Sequence, residues 1–257
     1  RPAVAGRPGA DAFLGALEVL RGRLTAPEVV DLLGLAPVRA ARRLSTEEVE
    51  TAAGWARDAG IRWGLDAEHR AAVGQPALQA NTWRWGLARL ASGWAAPGDG
   101  ASCLGSTLPF PAAGTHSHAL GAVLELLDLL ERYRSELGSA RLGMDDWCDR
   151  LGAFCGDLLG RSGEYDEDRA FVEAALGRLA DRARVAGFDA RLPLDAVIEA
   201  VGSVLADDAP PRGFLEGALT VCALVPMRAI PFRVVVLVGM NDGAFPRTDR
   251  PPDFDLV

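Results

Sequence analysis

From Asp11 to Leu205, apart from a loop over 95–117, apolar residues recur in segments at spacings of three and four, and at Asp207-Asp-Ala-Pro-Pro-Arg-Gly213 that rhythm stops. No other feature narrows the possible folds as much. A 3.6-residue period sets one stripe of each segment against a core, whereas the adjacent Pro210 and Pro211 cannot continue a helix. Beyond the break, two short apolar runs, Leu219 to Val225 and Val234 to Val238, bracket a loop rich in Pro and Arg. The second run is nearly all valine and leucine, which predicts a strand buried on both faces. Gly239, Asn241, Asp242 and Gly243 punctuate its end. A strand that ends in a polar, Gly-rich turn is where α/β proteins tend to place ligand-binding groups. The expected fold is therefore mainly α with a small α/β portion, helical over residues 1–205 and partly α/β over 206–257. Two strands do not make a stable sheet alone, so the second region needs partners elsewhere.

Within the helical region the start signals are explicit. Phe13, Leu14, Leu17 and Leu20 define a first helix that Gly22 ends. Thr25-Ala-Pro-Glu28 and Ser45-Thr-Glu-Glu48 are capping-box patterns that open helices through Val29 to Leu33 and through Val49 to Trp55. Asn81 is the expected N-cap of a helix through Trp85, Leu87 and Leu90. Residues 95–117, rich in Gly, Pro and Ser, read as a long loop. Further helices are predicted over about 119–137, from Met144, over about 167–185 and over 194–205.

Charge and composition exclude several function classes. The formal net charge is −8, which argues against a general affinity for nucleic acid. All 27 lysine-or-arginine positions are arginine. Without lysine no phosphate-cradling G-x-x-x-x-G-K-[ST] loop can exist, so the chain by itself is not a conventional P-loop ATPase. Cys103, Cys148, Cys155 and Cys222 form no C-x-x-C pair and read as reduced thiols, which fits a cytoplasmic protein. No apolar run is long enough to span a membrane. The start, Arg1-Pro-Ala-Val-Ala-Gly-Arg-Pro8, has no initiator Met and no apolar signal-peptide core, and reads as a cut inside a longer protein.

Few residues offer chemistry. Arg62 and Trp63, in Gly60-Ile-Arg-Trp-Gly-Leu-Asp66, and Arg84, in Asn81-Thr-Trp-Arg-Trp-Gly86, interleave cations with aromatics, a combination that stacks on bases or pairs with phosphates. The same pattern also suits tryptophans packed in a core with arginines reaching outward. His116 and His118 lack a neighbouring Cys or carboxylate in sequence, so a metal site there is not expected. Asp145-Asp146 and Asp207-Asp208 are adjacent carboxylates whose side chains diverge, and they read as a helix start and a linker rather than a nuclease centre.

The run Val225-Pro-Met-Arg-Ala-Ile-Pro-Phe-Arg233, followed by Gly239-Met-Asn-Asp-Gly-Ala-Phe-Pro-Arg247, resembles the gamma subunit of exodeoxyribonuclease V, the RecC family. The stretches from Gly60 and Asn81 and the Phe254-Asp-Leu256 triplet also look like that family. The same C-terminal run is similar to motif V of UvrD-type superfamily 1 helicases. Thr220, Phe232, Gly239 and Met240 match its scaffold, but Val225, Arg228, Ala229 and Pro231 stand at its chemistry-bearing positions. Val and Pro have no side-chain polar group with which to do that work. The resemblance therefore implies an inactive helicase fold: a helical 2B-type subdomain followed by part of a P-loop-helicase-like 2A domain. It implies further that the RecB and RecD subunits are partners, that those partners use ATP and Mg2+, and that single-stranded and duplex-end DNA are channelled. Chi-reading residues are not placed in this stretch.

The leading expectation is a non-catalytic scaffold that guides DNA, with no cofactor of its own. Thr220, Arg228, Arg233, Asn241, Asp242 and Arg247 are candidate nucleic-acid contacts beside Arg62, Trp63 and Arg84. Two other readings stay open: a subunit-interaction module without DNA contact, and an active helicase or nuclease.

Overall fold

The computed structural model describes residues 6–95, 109–110, 117–160, 163–207 and 233–238. The chain divides into two units, residues 1–212 and 213–257. In the first, the helices are α1 (Pro8–Arg21), α2 (Ala26–Gly34), α3 (Ala36–Ala41), α4 (Thr46–Asp58), α5 (Ala67–Ala72), α6 (Trp83–Ala95), α7 (Ser117–Leu137), α8 (Met144–Leu159), α9 (Asp166–Val185) and α10 (Leu194–Asp207). A two-residue antiparallel pair, β1 (Arg141–Leu142) with β2 (Leu192–Pro193), staples the α8 and α10 entries together. Among the described residues this small pair is the only sheet. The fold is mainly α.

Helix α1 is the axis of this unit and packs against α2, α3, α7, α8, α9 and α10. The sequence stripe marked Phe13, Leu14, Leu17 and Leu20, but Ala10, Ala12 and Ala16 are fully buried as well. A helix buried on most of its surface, with only the Asp11–Gly15–Glu18 stripe and its two end residues reaching water, takes partners for its end groups from its neighbours. At the N-terminus the Asp168 carboxylate of α9 accepts from Gly9 N at 2.6 Å, and Arg7 pairs with the same carboxylate at 3.2 Å. At the C-terminus Arg134 of α7 donates to the carbonyls of Leu20 (2.6 Å) and Gly22 (2.8 Å). Anion at the positive end and cation at the negative end also complement the helix dipole. Arg42 repeats the device, donating to Leu158 O at the end of α8. Burial lowers the pKa of both arginines, Arg42 and Arg134, from the ordinary value.

The capping boxes at Thr25 and Ser45 both form, each with its reciprocal Glu28 or Glu48 bond. Each cap contributes about 1 kcal/mol. Asn81 does not cap α6. It sits at φ 66°, and its Nδ2 donates to Gly60 O at 2.6 Å. The hydroxyl of Thr82, a fully buried residue, accepts from Trp85 N instead. α3 and α5, six residues each, escaped the periodicity because they are shorter than two turns. In the second unit, Val234 to Val238 are not a paired strand: all five are between 54 and 86% exposed. The expected burial needs neighbouring strands on both sides, and the described residues supply none.

Candidate nucleic-acid interface

The two Arg–Trp stretches meet in space. Residues 61–65 run between the 23–26 connection and the 81–84 entry to α6. Thr25 and Trp63 form an antiparallel bridge, with Ala26 N donating to Arg62 O (2.8 Å) and Gly64 N to Arg23 O (3.0 Å). On the other side Arg62 N donates to Asn81 O, Trp83 N to Gly64 O and Arg84 N to Leu65 O, each at 2.9 Å. The Trp83 indole, 2% exposed, donates to Leu24 O at 2.9 Å across the same junction.

Glycine is required here by space and by backbone. Gly60 and Gly64 both lie at φ +82°, where an L side chain is strained. A Cβ on Gly86 would stand 2.1 Å from Ile61 Cγ1. The Gly60 and Asn81 stretches, two of those that carried the resemblance, are thus foremost the parts of a clasp joining α1–α2, α5 and α6; the run from Val225 to Phe232 and that from Gly239 to Arg247 lie outside the described residues.

Two buried basic residues lie under the clasp. Arg70 donates to the carbonyls of Trp63 (3.0 Å) and Leu78 (3.1 Å), while its Nε has no hydrogen-bond partner. His69 accepts Leu65 N at its Nδ1 (2.9 Å), so the neutral ring carries its proton on Nε2. Burial, then the nearby Arg134 charge, pushes the His69 pKa down to about 4, opposed by Asp66 and assisted by Arg70. Asp66 itself caps α5 through His69 N.

The predicted contact residues divide accordingly. Arg84 is engaged by carboxylates, Glu131 Oε2 at 2.6 Å and Asp66 Oδ2 at 3.4 Å. Trp63 is half-buried, and its ring carries Arg70 at 4.5 Å and Arg23 at 5.8 Å from the centroid. Guanidinium groups so placed occupy the face a base would use. Arg62 is exposed, and its Nη1 bonds to the neighbouring Ile61 carbonyl. Arg233 is exposed at the head of the valine run. Thr220, Arg228, Asn241, Asp242 and Arg247 lie outside the described residues. Sequence reasoning missed Arg23 and Arg70. Neither has a Trp, Tyr or Phe neighbour in sequence, and both reach Trp63 only through the fold.

Elsewhere, His118 does find a carboxylate: its Nδ1 lies 2.9 Å from Glu48 Oε1 of α4, a pairing made by the packing of α7 on α4. His116 is outside the described residues. Of the expected acidic pairs, Asp145 bonds to Arg184 at 3.1 Å and its neighbour Asp146 is exposed. Cys148 and Cys155 are buried free thiols in α8, pushed up to about 11 and about 12 by burial and then by nearby carboxylates. No described helix is long and apolar enough to cross a membrane.

The first unit is a mainly helical domain packed around α1, in which the Arg–Trp clasp joins α1–α2, α5 and α6. The profile of the RecBCD enzyme subunit RecC fourth domain matches residues 7–209, and the chain belongs to that family. It is 37% identical over 238 residues, 90% of its length, to RecBCD enzyme subunit RecC of Mycolicibacterium smegmatis. It is 34% identical over 94% of its length to that of Mycobacterium tuberculosis, and 31% identical over 97% to that of Escherichia coli. The chain spans only 21–22% of these relatives.

Proposed function

We propose that the chain is a non-catalytic scaffold and DNA-guiding part of a RecBCD-type helicase–nuclease, acting in the cytoplasm in double-strand break repair by homologous recombination. In that role it contacts RecB and RecD subunits, and those partners carry the ATP and Mg2+ chemistry. The supporting observation is the family match over residues 7–209, joined to a domain in which the Gly60 and Asn81 stretches are hydrogen-bonded into a rigid clasp. Rigidity is what a strand-guiding surface requires, and Arg–phosphate contacts need no further chemistry.

The test is salt-titrated binding of single-stranded and forked DNA to the assembled complex, with an Arg228→Ala/Arg247→Ala variant alongside. A steep salt dependence that weakens in the variant supports strand guiding near the C-terminal motif. Unchanged DNA binding with weakened subunit assembly favours the subunit-interaction reading instead. The exposed apolar side chains of Val185, Phe188 and the Val234–Val238 run give that reading its own support.

A further inference from the structure

Two guanidinium groups, Arg70 and Arg23, lie over the Trp63 ring, and a third arginine, Arg62, is its neighbour in sequence. Arg70 is 6% exposed, with Nε unpartnered, and Arg23 and Arg62 are exposed on either side of the bridge that Trp63 makes with Thr25. Among the described residues none of the three forms an ion pair, whereas Arg7, Arg21, Arg84, Arg132, Arg169 and Arg184 all do. In a chain of net charge −8 these are three arginines without an ion-pair partner along one backbone junction, and one of the charges is held out of water. The backbone pairing of residues 23–26 with 62–64 sets the spacing of the Arg23 and Arg62 backbone positions from which the two exposed side chains extend.

We infer that Arg23 and Arg62 hold the phosphate backbone of a DNA strand crossing the clasp. Trp63 serves as the brace for Arg23, not as a stacking platform. The inference rests on the DNA-guiding reading and adds to it the point of contact and its chemistry. With two cations already over the indole, the strand is held by phosphate only, so binding there is independent of sequence and of the presence of bases. Arg70 contributes fixed positive potential from beneath and touches no phosphate itself.

The experiment uses the full-length subunit in its assembled complex, comparing wild type with Arg23→Gln/Arg62→Gln and Arg23→Lys/Arg62→Lys. Binding to a single strand, a duplex and an abasic single strand is titrated with salt. The Gln variant is expected to bind all three about tenfold more weakly. On a single strand its salt slope should fall by about 0.7 for each phosphate that the missing guanidinium groups no longer neutralise. The Lys variant should keep the slope. An effect that disappears on the abasic strand would mean base stacking and overturn the inference. So would displacement of DNA by inorganic phosphate at constant ionic strength with no loss of affinity in the Gln variant. A photocrosslinker at the exposed position of Leu78 separates the two levels. Crosslinks with an unaffected Gln variant reject the arginine pair and leave DNA guiding intact. No crosslink from Leu78 or other exposed positions of the domain, with no variant effect, rejects both.

Discussion

His69 makes the stability of the clasp depend on pH in a direction the structure fixes. Its pKa falls from 6.5 to about 4 on folding. Below pH 6.5 the unfolded chain takes up a proton that the folded chain refuses, so stability is present above that pH and is lost as pH falls, saturating near 4. The cause is visible: Nδ1 accepts Leu65 N, and protonation would set two donors against each other beside Arg70 and Arg134. At pH 5 the linkage amounts to ~2 kcal/mol relative to pH 7.5. His69→Asn is the control, since the amide oxygen can stand where Nδ1 does and does not titrate. Urea unfolding at pH 7.5 and pH 5 should show the wild type losing ~2 kcal/mol more than His69→Asn. Parallel pH dependence in the two proteins would refute the reasoning, because it would mean that His69 takes up its proton equally in both states.

Two further outcomes follow from packing. Gly86→Ala should lower the urea midpoint by the equivalent of about 1–3 kcal/mol. An exposed helical glycine would instead gain about 1 kcal/mol from alanine, so the sign of the change reports whether Ile61 presses on α6. Cys148 and Cys155 should resist alkylation at pH 8 in the folded protein and react on unfolding, read by mass spectrometry at each site, since thiols shifted to about 11 and about 12 are almost wholly protonated there. Rapid native labelling at Cys155 would contradict its burial.

Much of the helical unit was legible because its signals are local. The Thr25 and Ser45 capping boxes need only four residues each, and the stripes of α7 and α8 are set by period alone. Asn81 shows where local reasoning ends: a good N-cap residue was drawn to Gly60 O, a partner 21 positions away. The valine run shows the same limit in reverse. Five apolar residues specify a liking for burial, but what covers them is not written in them. For the candidate interface, Arg62, Trp63 and Arg84 could be singled out by composition. Their roles could not be told apart, because Glu131, Arg23 and Arg70 come from other parts of the chain.

By itself, then, the sequence determined the helical class, the capping of α2 and α4, the absence of a P-loop lysine and the residues that signal the family. Periodicity, caps and missing side chains are properties of short stretches. Only the tertiary structure decided that α1 is buried on most of its surface with Asp168 and Arg134 at its ends, and that Arg84 is neutralised while Arg23 and Arg62 are not. Burial and charge compensation depend on which distant groups arrive at the same point, and that is settled when the helices pack.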